Sequence, residues 1–149
     1  MTELDILAAG NKLLQTKYGG KIPVYGREVS DGFKMPAFFT EVVSNGFTYG
    51  SKNLAELECA FKITYFQAEV DDVDQAKKVE EFRKLFGKYL IVGKRKIKVL
   101  DLETNYVGER NNILQVTINF QTVFIDVSEK HDLEIMESLE VNEHVNNNL

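Results

Sequence analysis

One cysteine, two prolines and no tryptophan stand in a chain of 149 residues. A lone cysteine, Cys59, cannot form a disulfide framework or a cysteine-rich zinc site, and this usage fits a reducing compartment. Two prolines and ten glycines exclude collagen-like and low-complexity chains. No run approaches the roughly 18–20 apolar residues that span a bilayer. The start, Met1-Thr2-Glu3-Leu4-Asp5, is acidic where a secretory signal is basic, and no apolar h-region follows it. These absences predict a soluble protein made in a cytosol, with no membrane partner.

Catalytic signatures are missing as well. The Gly-Lys pairs at Gly20, Gly87 and Gly93 lack the upstream glycine and following hydroxyl of a phosphate loop. There is no Gly-x-Ser-x-Gly elbow, no Gly-x-Gly-x-x-Gly and no His-Glu-x-x-His. The only histidines, His131 and His144, sit near the C-terminus, and Glu140 with His144 makes too few ligands for a metal. Asp71, Asp72 and Asp74 lack the glycine and distal glutamate of a calcium loop, and helix capping accounts for them. The reading is a non-enzyme with no catalytic, cofactor or metal residues.

What is present is a core. The chain is 44% hydrophobic and 28% charged, and one of this length can bury about two-thirds of its unfolded surface. The formal charge of −5 is unevenly placed. From Asp126 onward seven carboxylates face one lysine, a balance of −6, leaving 17 basic and 16 acidic groups before it. A neutral body with an acidic end lacks the basic footprint of a nucleic-acid binder. We divide the chain into one α+β domain over 1–125 and an acidic C-terminal extension over 126–149.

Thr2 and Asp5 resemble a capping box before Ile6, Leu7, Leu13 and Leu14, which predicts a helix over 3–17. Ile22-Pro23-Val24-Tyr25 suits an edge strand, and Ala37 to Val43 is apolar on both faces. Leu57, Cys59, Phe61, Ile63 and Tyr65 alternate with polar residues, as do Leu114, Val116, Ile118, Phe120 and Phe124. In phase with that set, Cys59 reads as a core residue. Asp71 and Asp72 can cap a second helix, whose apolar face is read as Ala76, Val79, Phe82, Leu85, Phe86 and Tyr89, with Lys78 on the opposite side. Leu90 to Leu102 reads as a hairpin turning at Gly93-Lys94, with a bulge where the apolar phase slips between Val99 and Leu100. The predicted order is α-β-β-β-α-β-β-β, with a C-terminal helix suggested by Leu133, Met136 and Leu139. The fold class is α+β, a largely antiparallel sheet with both helices on one face.

Two segments offer partner-binding features. In Ser44–Asn53, Asn45-Gly46 is a two-residue hairpin signal followed by Phe47 and Tyr49. The segment is either a bulged connection whose two aromatics cover the core edge or a protruding loop whose aromatics anchor a protein partner. Leu133, Met136 and Leu139 form an apolar stripe that packs either on the chain's own body or on a neighbour. Lys94-Arg95-Lys96-x-Lys98 is a basic cluster, read as protection of a strand edge ahead of phosphate binding.

Val24-Tyr25, Asp31-Gly32-Phe33-Lys34-x-Pro36-x-Phe38-Phe39 and Phe61-x-Ile63-x-Tyr65-Phe66 resemble a family of small tail terminator proteins from phages and prophage-like elements of Gram-positive bacteria. The resemblance covers roughly residues 20 to 125. It implies a ring, commonly of six subunits, that caps the head-proximal end of a tail tube, stops its growth and presents a surface to the head–tail connector. The tail tube protein, and the sheath in contractile particles, are the implied partners. The implied location is the tail of a virion or phage-like particle, assembled in the bacterial cytoplasm. Two other readings stay open: another head–tail joining ring protein, or a small-molecule-binding regulatory α+β domain.

Overall fold

The computed structural model describes residues 2–26 and 31–125, with the backbone alone for Phe124 and Ile125. Its elements are α1 (Glu3–Tyr18), β1 (Val24–Tyr25), β2 (Ala37–Tyr49), β3 (Leu54–Phe66), α2 (Asp72–Phe86), β4 (Tyr89–Val92), β5 (Arg95–Val107) and β6 (Ile113–Ile125). This is the expected order and the expected α+β class.

Local chemistry sets the helix ends. The Asp5 carboxylate accepts the Thr2 N–H at 2.9 Å, satisfying a donor that the first turn of α1 leaves unpaired. In α2 the Asp71 carboxylate accepts the N–H groups of Val73 and Asp74 at 3.0 and 3.3 Å, an N-cap that also places negative charge at the positive end of the helix dipole. Gly87 ends α2 at φ +61°, a backbone conformation that residues with a Cβ seldom adopt.

The six strands form one sheet in the order β1-β2-β3-β6-β5-β4. β1 runs parallel to β2, and every other neighbour is antiparallel. Alternation along β3 and β6 sends Leu57, Phe61, Ile63, Val116, Ile118 and Phe120 to one face, where they are buried with Ile6 and Leu14 of α1 and Phe82 and Phe86 of α2. α1 meets β1 and β2 near one edge and β4 at the other, so the sheet curls around it. That close approach requires Gly10, because a Cβ there would stand 2.6 Å from the Phe61 ring.

Two bulges keep long strands in phase with this core. The β2–β3 register shifts between Ser44 and Gly46, and the β5–β6 register between Val99 and Asp101. A single extra residue moves every later side chain to the other face. After the first bulge Phe47 lies opposite Leu57 and Tyr49 opposite Ala55, on the helix-bearing face. The second bulge is the one expected from the apolar slip at Leu100.

Three readings change. Asn45-Gly46 is not a hairpin turn: the ladder continues to Tyr49↔Ala55, and the chain reverses over 50–53, where the Gly50 N–H meets the Leu54 carbonyl at 3.0 Å. A flexible Asn-Gly step serves a bulge as readily as a turn, and the cross-strand partners decided it. Ala76 and Tyr89 are exposed rather than part of the α2 core face. Lys78 is buried rather than on the solvent side, because carboxylates and tyrosine rings receive it.

Candidate interaction surfaces

The β2–β3 ladder continues to Tyr49 opposite Ala55 before the chain reverses over 50–53. Near its tip the Phe47 and Tyr49 rings meet edge to face, with centroids 5.1 Å apart, and are 46% and 53% exposed. Such pairs favour edge-to-face geometry because the positive ring edge meets the negative face. The bulge at Asn45-Gly46 is what turns both rings to the concave side. Thus the four candidate residues of this segment form one arrangement: Asn45 and Gly46 set the phase, and Phe47 and Tyr49 supply apolar surface. The other three candidates, Leu133, Met136 and Leu139, lie outside the described residues, as do His131 and His144.

A buried polar cluster was not legible in sequence. Lys78 Nζ lies 3.1 Å from Asp74 and 3.7 Å from Glu81, and sits 5.5 Å from the ring centres of both Tyr18 and Tyr65. The Tyr18 hydroxyl donates to Glu81 at 2.5 Å, and Tyr65 donates to Asp74 at 2.7 Å. Gln67 adds a third donor to Asp74 at 2.9 Å. Burial and the neighbouring carboxylates push both phenols well above their ordinary range. Burial alone would raise Asp74, but hydrogen bonds from Tyr65 and Lys78 outweigh it and hold its carboxyl below the ordinary aspartate value. The charges are mutually satisfied, and the cluster ties the end of α1 to α2 and β3. The one sequence sign was the i, i+4 pairing of Asp74 with Lys78, which equally suits a solvated helix face.

On the opposite face of the sheet, Tyr25, Phe33, Phe39 and Phe66 form a second aromatic group. Phe33 stands 4.8 Å from Phe39 and 5.4 Å from Phe66 between ring centres, and Tyr25 stands 5.5 Å from Phe39. All four are half-buried and fasten the segment 31–36 to the strands. Cys59 is 1% exposed, and burial raises its thiol to about 11, so it is a core residue as read. Lys96 and Lys98 are exposed on β5 beside the edge strand β4.

A groove of about 1160 Å³ runs between α1 and β4. Leu13, Leu85 and Ile91 line it together with Lys12, Lys17 and Lys94. Among the described residues, no three His, Cys, Asp or Glu side chains gather as a metal site, and no helix is long and apolar enough to cross a membrane.

No curated protein matches the sequence. One solved structure aligns over 85% of this chain and 96% of its own, at 12% identity and a TM-score of 0.49. A family model described as phage tail terminator protein matches residues 5–133. The match takes in most of α1 and the first residues after Ile125, both beyond the span of roughly 20 to 125 that the resemblance covers. Matched over most of its length, the chain belongs to the phage tail terminator family.

Proposed function

We propose that this protein is a non-catalytic subunit that closes into a ring on the head-proximal end of a tail tube. The observation that carries the reading is the family match over residues 5–133. Six copies is the ring size that the resemblance implies. A ring needs heterologous contacts, in which one patch of each subunit fits a different patch of the next and the rotation closes. Growth stops because the outward ring face no longer complements a tube subunit. The tube protein, the head–tail connector and, in contractile particles, the sheath are the proposed neighbours, in a particle assembled in the bacterial cytoplasm.

Residues 1–125 form the proposed domain, and 126–149 an acidic extension to it. Within the domain the β2–β3 hairpin is the proposed docking element, supported by Phe47 and Tyr49 standing about half exposed near its tip. Anchors of this kind carry a large share of interface energy when desolvated. Replacing either ring by alanine costs about 1 kcal/mol of folding stability, since only half of each side chain is buried. The expected result of Phe47→Ala with Tyr49→Ala is a folded protein that leaves tails irregular in length. Normal-length tails with intact rings would remove the hairpin from this role.

A further inference from the structure

The groove between α1 and β4 is lined by apolar and basic side chains. One wall is a stripe of α1, where Ala9 and Leu13 recur at helical spacing, and the other is the edge strand with Ile91 65% exposed. Among the described residues that line it, Lys12, Lys17 and Lys94 stand with one carboxylate, Asp5, which accepts the Thr2 N–H. The chain itself carries a segment of that chemistry. Residues 126–149 hold a balance of −6 and repeat apolar side chains at Leu133, Met136 and Leu139.

Connectivity brings the two together. β6 ends opposite Leu54, and Gln121 of β6 pairs with Lys98 of β5. Ile125 therefore ends level with the Gly93–Arg95 turn at the mouth of the groove. Two strand spacings, about 10 Å, separate β6 from β4. The seven residues from Asp126 to Asp132 span up to about 25 Å when extended. From Asp5 to Lys17 the helical wall measures roughly 18 Å. The stripe that begins at Leu133 can reach any point along it.

We propose that the acidic segment 126–149 docks in the α1–β4 groove of its own copy, with Leu133, Met136 and Leu139 against its apolar lining and its carboxylates beside the lysines. The groove is then occupied from within the chain and is not a ligand pocket. This pairing does not depend on ring formation.

The test uses the full-length chain with a benzophenone amino acid at Met136. It is co-expressed with a probe-free copy marked Leu13→Val and Ile91→Val. On irradiation, adducts should fall on the α1 and β4 peptides and carry Leu13 or Ile91, never the valine marks. Lys12→Glu with Lys94→Glu, both at exposed positions, should cut the yield several-fold, and Lys12→Arg with Lys94→Arg should restore it. Adducts on the marked peptides would assign the segment to a second copy and overturn the proposal. So would adducts elsewhere on the body, the absence of adducts, or a yield that charge reversal leaves unmoved.

Discussion

Gly10→Ala should destabilise this fold, although the same change in an ordinary helix interior is stabilising. Helix propensity favours alanine over glycine by about 0.8–1.0 kcal/mol. Against this, the new Cβ would lie 2.6 Å from Phe61 Cε2 and 2.7 Å from Cζ, well inside van der Waals contact. The Phe61 ring has little room to yield, being fully buried and packed 5.6 Å from Phe86 between centroids. Overpacking a filled core costs typically ~1–3 kcal/mol. The balance is a net loss of about 1 kcal/mol, or roughly 3 °C in Tm for a chain of this size. Urea titration with the slope held constant measures it. The double cycle sharpens the result: in a Phe61→Leu background, which withdraws the ring edge, Gly10→Ala should become neutral or stabilising. The two substitutions should therefore couple by about 1–3 kcal/mol. A rise in Tm for Gly10→Ala alone, or the same effect in both backgrounds, would refute the claim that α1 touches the sheet through this glycine.

The polar cluster predicts an acid limb to stability. The Asp74 carboxyl is held below the ordinary aspartate value in the fold, so its contribution is complete above about pH 5 and drains away as the pH falls through the folded value. Asp74→Asn should flatten that limb in urea midpoints measured between about pH 2 and 6, and an unchanged slope would contradict the assignment. Lys78→Ala leaves two carboxylates without their cation. Breaking a buried pair costs ~3–5 kcal/mol, and the partial exposure of Asp74 and Glu81, at 31% and 37%, scales this to about 2 kcal/mol. Cys59, with its thiol raised to about 11, should resist thiol reagents at pH 8 until the protein unfolds, and rapid labelling of the native chain would place it wrongly.

Strict alternation made β3 and β6 legible, because one face of each is buried and the other is polar. α2 was legible at its ends, where Asp71 and Gly87 act through local geometry. Lys78 departs from the periodicity of its interior, since periodicity registers hydrophobicity and cannot foresee that Asp74, Glu81 and two tyrosines neutralise a buried ammonium. Asn45-Gly46 failed as a turn signal for a related reason. Local conformational freedom says that the backbone can bend there, and only the cross-strand partners Glu58 and Leu57 determine whether it reverses or bulges. The slip at Leu100 was readable because the apolar pattern itself changed phase. The groove depends on the curl that brings α1 against β4, a long-range property with no local sequence mark. The motif around Phe33 and Phe61 pointed to the family because its aromatics pack the sheet on both faces. It says little about which side chains meet a partner.

The most direct test of the central proposal is the length of tail tubes polymerised from purified tube protein, with and without this protein, imaged by electron microscopy. Adding the intact protein should arrest elongation and leave a ring at one end of each tube. Tubes that keep growing, with the protein bound along their sides or not bound at all, would contradict it.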